Sequence, residues 1–285
     1  MTVAINTCEF AELRDFLETH CGIALDANKT YLVESRLTQL LLELGFSTFS
    51  ELNVQLRQAK VGGNKQLVDQ IIDAMTTNET YWFRDGAPYD MLYNVLLPEF
   101  EQQLASGKKQ KIRIWSAACS TGQEPYSIAI LIHELARKGK GRKLLENVEI
   151  LATDISRTAL TLAKSGRYNK ISMARGIEDE YKLRYFDNSD TISVLKPEIK
   201  NMVTLKQFNL QDSFKVWGQF DLILLRNVAI YFSRDFKRDL YTKVAGALYP
   251  GGYFMLGSSE FLMECQELYE RQSYERCSYY RVKPR

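Results

Sequence analysis

Polar side chains stand at the ends of several apolar, strand-like runs of this sequence. Asp154 ends VEILATD, Asn209 and Leu210 close VTLKQFNL, and Arg226 and Asn227 close FDLILLRN. In a parallel sheet these positions meet at the carboxyl edge, where ligands bind. A carboxylate at the end of the second strand can accept hydrogen bonds from both ribose hydroxyls, and we assign that chemistry to Asp154. Simpler explanations stay open: Asp154 is also a candidate helix N-cap, and the other four are ordinary turn residues.

The segment WSAACSTGQEPYS joins a predicted strand to a helix and indicates a cofactor without phosphate. Its one glycine, Gly122, lies among small residues that let the backbone approach a ligand closely. A dinucleotide would require GxGxxG, whose glycines and helix N-terminus cradle a pyrophosphate. S-adenosylmethionine fits better, because its ribose and amino acid require acidic side chains, here Glu124 and Asp154. Since Glu124 precedes Pro125, its second explanation is that it stabilises a helix N-terminus.

Tyr231 follows Asn227 in the segment NVAIYF. A buried tyrosine ordinarily packs in the core, and its hydroxyl finds whichever partner is near. The short distance in sequence to Asn227, at the expected ligand edge, favours a tyrosine that faces the site.

The elements that position these residues follow from hydrophobic periodicity. Helical spacing from Cys8 to about Ile72 predicts a small helical domain, with Asp26 and Ser47 as N-caps of its second and third helices. From residue 111 onward strands alternate with helices: KIRIWSA, VEILATD and FDLILLRNV read as strands, PYSIAILIHELARKG and SRTALTLAKSG as helices. This alternation predicts an α/β fold with a doubly wound parallel sheet.

Composition excludes several classes of function. The chain has 285 residues, 45% of them hydrophobic, so it can bury a complete core. Its five cysteines and two histidines show no metal-ligand spacing, so no metal is expected. Residues 1–85 carry seven Lys and Arg against twelve Asp and Glu, so the rest of the chain is net basic. It contains no dense run of Lys and Arg, so we expect no nucleic-acid partner. An acidic start and the lack of a long apolar run predict a cytoplasmic protein without membrane insertion.

Five segments, in this order, resemble the chemotaxis receptor glutamate O-methyltransferases, the CheR family. They are KTYLVESRLTQLL, TTNETYWFRD, IRIWSAACSTGQEPYS, FDLILLRNVAIYF and LYPGGYFMLGSSE. The resemblance implies a Rossmann-like methyltransferase sheet with a small N-terminal all-helical domain and a small β insertion. We therefore expect the helical domain at residues 1–75, a linker at 76–90 and an S-adenosylmethionine-dependent methyltransferase domain at 91–285, with the insertion at 167–205.

The resemblance also implies an activity and a site. The activity is methyl transfer from S-adenosylmethionine to glutamate carboxylates in the cytoplasmic domains of methyl-accepting chemoreceptors, which forms glutamyl methyl esters and leaves S-adenosylhomocysteine. Arg84 and Tyr231 are the implied catalytic residues. The implied cofactor contacts are Asn78, Thr80, Arg84, Glu124, Asp154, Asn209, Leu210, Arg226 and Asn227. A guanidinium suits position 84, because it pairs bidentately with a carboxylate and stays charged at any working pH. The other explanation of Arg84 is a surface ion pair with Asp85.

Two features depart from the family pattern. Some members bind a receptor's C-terminal pentapeptide through a glycine-rich loop of the insertion, whereas DNSDTISVLKPEIK contains no glycine, so we expect no such tether. The helical half is acidic, which leaves only local cations such as Lys29 and Arg36 to meet acidic receptor helices. A non-catalytic S-adenosylmethionine-binding regulatory module is the main alternative function. A nicotinamide dehydrogenase and a nucleic-acid methyltransferase are disfavoured, because the phosphate cradle and the basic groove are missing.

Overall fold

The computed structural model describes residues 3–62 and 64–283. Four helices come first: α1 (Thr7–Cys21), α2 (Thr30–Glu43), α3 (Phe49–Gly62) and α4 (Lys65–Met75). Their apolar faces enclose a core of their own, with Leu13, Leu37 and Ile71 fully buried. The predicted helical domain therefore has a core separate from that of the sheet.

The N-caps predicted for α2 and α3 are wrong. Asp26 lies before a turn in which its carbonyl accepts the Lys29 N–H, and α2 begins only after Lys29, without a side-chain cap. Ser47 is one residue too early. The Thr48 hydroxyl accepts the Glu51 N–H at 3.3 Å, and the Glu51 carboxylate accepts the Thr48 N–H at 3.1 Å. This reciprocal capping box fixes the start of α3.

The rest of the chain alternates helices and strands. Helix α5 (Ala87–Met91) continues through a π-helical turn, Leu92–Leu96, into α6 (Leu97–Ala105). The following elements are β1 (Ile112–Ala117), α7 (Gln123–Arg137), α8 (Arg142–Asn147), β2 (Val148–Asp154), α9 (Arg157–Ser165), β3 (Arg167–Asn169), α10 (Lys170–Met173), α11 (Asp179–Tyr185), β4 (Phe186–Asn188), β5 (Ile192–Leu195), α12 (Pro197–Lys200), β6 (Val203–Gln207), β7 (Phe220–Leu225), α13 (Arg234–Ala247), β8 (Leu248–Leu256), β9 (Tyr269–Tyr274) and β10 (Cys277–Val282).

Seven of these strands form one sheet in the order β6-β2-β1-β7-β8-β10-β9. The first five are parallel, and β10 and β9 are antiparallel at one edge. The doubly wound sheet is confirmed, but the polar strand β9 was not expected from its sequence. The strand order reverses at β1, which pairs with β2 on one side and β7 on the other. Loops that leave the carboxyl ends of β1 and β7 therefore diverge and open a crevice.

The sheet separates two apolar cores. Ile114 packs with α7 on one face, whereas its neighbour Trp115 packs with α13 residues on the other. Successive strand residues point to opposite faces, so a strand buried on both sides reads as a continuous apolar run. Within residues 3–62 and 64–283, no helix is long and apolar enough to cross a membrane.

The insertion forms a separate antiparallel sheet of three strands in the order β3-β5-β4. Between its helices, Gly176 has φ +82° and packs directly on the linker, where an added Cβ would stand 1.7 Å from the Trp82 carbonyl oxygen. The insertion therefore meets the linker at backbone distance, which only glycine permits here.

Candidate functional site

A cleft lies at the carboxyl ends of the central strands, against the helical domain. It contains all ten residues that the sequence analysis named as catalytic residues or cofactor contacts. These are Asn78, Thr80, Arg84, Glu124, Asp154, Asn209, Leu210, Arg226, Asn227 and Tyr231. They come from the linker, from the ends of β2, β6 and β7, and from the first turn of α7, so the fold gathers residues up to about half the chain apart.

The linker forms one wall of this cleft, and side chains of the sheet domain hold its backbone. The Ser120 hydroxyl donates to the Asn78 carbonyl at 2.8 Å. The Phe83 N–H donates to the Ser127 hydroxyl oxygen at 3.1 Å. Residues 76–80 form no regular secondary structure, so side-chain hydrogen bonds of this kind replace the backbone hydrogen bonds that a helix or strand would make.

Arg226 ties the linker to α7 from beneath the cleft. Its side chain is 2% exposed, and it donates to Glu124 at 3.0 Å, to Asp85 at 2.9 Å and to the Arg84 carbonyl at 2.7 Å. Burial lowers the pKa of Arg226, but its interactions with Tyr89, Glu124 and Asp85 outweigh burial and raise that pKa above its usual value. The guanidinium thus stays charged, and its hydrogen bonds hold the linker and α7 together beside the site.

Both carboxylate oxygens of Glu124 have hydrogen-bond partners within the protein. One carboxylate oxygen accepts from Arg226, and the other accepts the Ser116 hydroxyl of β1 at 2.8 Å. Glu124 also lies in the first turn of α7, where a carboxylate stabilises the helix N-terminus. The position at the helix N-terminus is thus observed, and Glu124 also lines the cleft.

Arg84 presents a free donor at the cleft wall. Its Nη1 donates to the Glu79 carbonyl at 3.0 Å, while its buried Nε has no hydrogen-bond partner among the described residues. The backbone has positive φ on both sides, at Phe83 and Asp85. Asp85 accepts a hydrogen bond from Arg226 at 2.9 Å, and among the described residues no close ion pair joins it to Arg84, although the charge of Arg84 contributes to lowering the pKa of Asp85.

Asp154 is buried at the end of β2 and organises two loops. Its carboxylate accepts the Ser120 N–H at 2.7 Å and the Ser156 N–H at 2.9 Å. Burial raises the pKa of Asp154, although these two bonds oppose the rise. The N-cap of α9 is Ser156, whose hydroxyl oxygen accepts the Ala159 N–H at 3.0 Å, so the N-cap explanation of Asp154 is wrong.

Gly122 does not line the cleft, contrary to the expectation that it brings backbone to a ligand. Its φ is +94°, and an added Cβ would stand 2.9 Å from the Tyr126 ring and 3.0 Å from the Ala163 Cβ. The glycine is required for the turn and for close packing of α7 on α9. The residues of this loop that do line the cleft are Ala118, Cys119 and Ser120.

Asn227 ends β7 in a left-handed conformation with φ +58°. Its N–H donates to the Glu260 carboxylate at 2.5 Å, and the Gly257 N–H donates to the same oxygen at 2.8 Å. The side-chain Oδ1 of Asn227 is buried without a partner among the described residues. An unpaired buried acceptor in a cleft marks a position for a ligand's donor.

Two further predicted residues lie at the seam between the domains. The Asn209 amide donates to the His20 carbonyl at 2.7 Å. The Tyr231 carbonyl accepts the Ala24 N–H at 2.9 Å, and Tyr231 is one of the residues that line the cleft. The helical domain is therefore bonded directly to the loops that carry the site.

Sequence reasoning named Asp85 only as a possible ion-pair partner of Arg84 and did not single out Glu260. Both lie inside segments that resemble the family, TTNETYWFRD and LYPGGYFMLGSSE, so their types were visible. Asp85 and its partner Arg226 are 141 positions apart in the sequence, and Glu260 and Asn227 are 33 positions apart. Within residues 3–62 and 64–283, no cluster of His, Cys, Asp or Glu is suited to hold a metal ion.

Comparison with known proteins agrees with this architecture. Residues 9–76 match the family described as "CheR methyltransferase, all-alpha domain", and residues 78–277 match "CheR methyltransferase, SAM binding domain". The chain is 44% identical to the chemotaxis protein methyltransferase Cher2 of Pseudomonas putida, over 92% of this chain and 93% of the relative. It is 44% identical to chemotaxis protein methyltransferase 1 of Pseudomonas aeruginosa, with the same coverage. It is 41% identical to chemotaxis protein methyltransferase 1 of Vibrio cholerae, over 94% of both. The chain thus belongs to the CheR family of S-adenosylmethionine-dependent methyltransferases.

Proposed function

We propose that this chain transfers the methyl group of S-adenosylmethionine to glutamate side chains in the cytoplasmic domains of chemoreceptors. The names of its relatives, chemotaxis protein methyltransferases, support this substrate class. The observation that carries the proposal is the cleft itself, which brings together all ten residues implied as catalytic residues or cofactor contacts. The Arg84 guanidinium at its wall suits a carboxylate, because charge-assisted bonds to guanidinium are strong and directional.

The unsatisfied groups of the cleft fit S-adenosylmethionine. Asp154 keeps acceptor capacity after its two N–H bonds, which suits the ribose hydroxyls. The Arg84 Nε suits the cofactor's carboxylate, with Asn78 and Thr80 beside it on the linker. The Asn227 Oδ1, which has no partner among the described residues, can accept a hydrogen bond from the cofactor. When bound, the cofactor supplies an electrophilic methyl group on a sulfonium.

The framework residues act differently from these contacts. Glu124 and Arg226 bond each other, so we propose that they shape the amino-acid end of the pocket as a pair. Leu210 is 8% exposed and adds an apolar wall. Asn209 holds that wall against the helical domain through its bond to His20.

The transfer itself needs no general base. A glutamate side chain with a reference pKa of ~4.3 is ionised near neutrality and is already a nucleophile. Arg84 attracts and orients carboxylates, and the Tyr231 hydroxyl at the cleft supplies a donor to the acceptor. Catalysis then rests on proximity, alignment and exclusion of water, which well-built sites supply without proton transfer.

We further propose that the protein works in the cytoplasm, without nucleic acid and without a pentapeptide tether. The turn between β4 and β5 consists of Ser189, Asp190 and Thr191 and has no glycine. Isothermal titration with a receptor C-terminal pentapeptide is expected to show no binding. Micromolar affinity would contradict the last point.

The test of the main proposal is the chemistry of the transferred methyl group. The protein is incubated with tritiated S-adenosylmethionine and a receptor cytoplasmic domain, and the labelled receptor is then treated with base. Release of labelled methanol is expected, because an ester hydrolyses whereas an N-methyl group stays. Arg84→Ala serves as the matched control and should abolish labelling. Base-stable label would contradict the carboxylate acceptor, and cofactor binding without any transfer would favour the regulatory module.

A further inference from the structure

Arg36 of α2 bonds the start of the linker with two separate nitrogens. Its Nη1 donates to the Met75 carbonyl at 2.5 Å, and its Nη2 donates to the Thr77 hydroxyl at 2.8 Å. The two acceptors lie on either side of Thr76, the residue that ends α4. One guanidinium therefore fixes the point at which the helical domain passes into the cleft wall.

The cleft begins where this bridge ends. Thr76 and Thr77 line it, and the implied cofactor contacts Asn78 and Thr80 follow at once. Further along, the wall is held from the opposite domain, where Ser120 donates to the Asn78 carbonyl. The two attachments fall on neighbouring residues, Thr77 and Asn78, so the conformation of the linker at this point depends on both.

We propose that Arg36 is a positioning residue for S-adenosylmethionine, which it affects through Thr77 and the linker. The sequence had suggested Arg36 as a cation that meets acidic receptor helices, but its donors are turned to Met75 and Thr77. The helical domain then contributes to cofactor affinity even when no receptor is present.

Guanidinium is the group that this bridge requires. Its planar fork reaches a carbonyl and a hydroxyl simultaneously, whereas an ammonium is a single point charge on a flexible stem. Arg36→Lys should therefore rescue only part of the effect of Arg36→Gln. A residue needed merely for its charge would be rescued completely.

The experiment measures S-adenosylhomocysteine binding to the full chain by isothermal titration, with no receptor. Arg36→Gln is expected to raise Kd about tenfold, which corresponds to ~1.4 kcal/mol at 25 °C. Thr77→Val, which removes one of the two acceptors, is expected to raise it about threefold. The control is Arg57→Gln, which removes an exposed cation of α3 paired with Glu12 and should leave Kd unchanged.

Several outcomes would overturn the inference. One is a wild-type Kd in Arg36→Gln together with a raised KM for the receptor, which would make Arg36 a receptor contact. Another is a lower melting temperature with an unchanged Kd, which would make its role structural. If Arg36→Gln does not fold, Thr77→Val decides alone, and a wild-type Kd there refutes the proposal. The inference rests on the cofactor part of the proposed function, so a different methyl acceptor would leave its result standing.

Discussion

Replacing Arg226 by glutamine leaves two carboxylates without the cation that both contact. Glu124 is 12% exposed and Asp85 is 23% exposed, so water reaches Asp85 more readily. Breaking a buried ion pair by removing one partner costs ~3–5 kcal/mol. Because Asp85 can recover part of its hydration, we expect the loss of unfolding free energy to lie near ~3 kcal/mol, and to come mainly from Glu124.

Urea unfolding of the free protein near neutral pH measures this loss. The double variant Arg226→Gln with Glu124→Gln is the matched control, because it removes the more buried of the stranded charges and keeps an acceptor for Ser116. It should recover more than half of the loss, because most of the loss is expected to come from Glu124. A loss below ~1 kcal/mol in the single variant, the size of a surface pair, would refute the reasoning.

The pH dependence provides an independent check. Burial raises the pKa of Asp85, but the hydrogen bond from Ser258 and the positive charge of Arg226 lower it by more. The pKa therefore lies below its ordinary value of 3.8. A lowered carboxylate pKa stabilises the fold above the unfolded value, and this contribution disappears as the pH falls through the folded value. The stability gap between wild type and Arg226→Gln should therefore narrow below the ordinary pKa of Asp85. A gap that stays constant there would contradict the assigned role of Asp85.

Three further predictions concern other parts of the molecule. Gly176→Ala should lower the melting temperature, because a Cβ would stand 1.7 Å from the Trp82 carbonyl oxygen, whereas Gly139→Ala, with a similar φ and open space, should cost less; equal losses would refute the clash. Burial raises the pKa of Glu134, but its hydrogen bonds with Arg137, Tyr185 and Arg184 lower it by more, so the pKa lies below 4.5. Glu134→Gln should therefore lower the unfolding free energy measured in urea at neutral pH. This loss should shrink as the pH falls and the wild-type carboxylate becomes protonated. Tyr231→Phe should leave S-adenosylhomocysteine affinity unchanged and lower kcat about tenfold, the contribution of one hydrogen bond; a wild-type kcat would remove Tyr231 from the mechanism.

Hydrophobic patterns predicted the sheet well where strands are buried on both faces. FDLILL and VEILATD became β7 and β2, because continuous apolar runs of that length suit parallel strands covered by helices. The edge strand β9 was missed, since YERQSY buries only one of its six residues and carries no such run. Pattern reasoning detects burial, and an edge strand offers little of it.

The site residues were predictable by type and position, but their partners were not. The ends of β2 and β7 pointed to Asp154 and Asn227 correctly as residues of one cleft. The pairing of Arg226 with Asp85 depends on where an irregular linker passes, and no local pattern encodes that path. Gly122 was assigned to ligand approach, although its neighbours in space, Tyr126 and Ala163, require it for packing.

The central claim, methyl transfer to glutamate carboxylates, is tested most directly by tandem mass spectrometry of a receptor cytoplasmic domain after incubation with S-adenosylmethionine. The account predicts one added methylene mass on glutamate residues only, lost after mild base and absent with Arg84→Ala. The same mass on lysine, arginine or an amide nitrogen, stable to base, would contradict it.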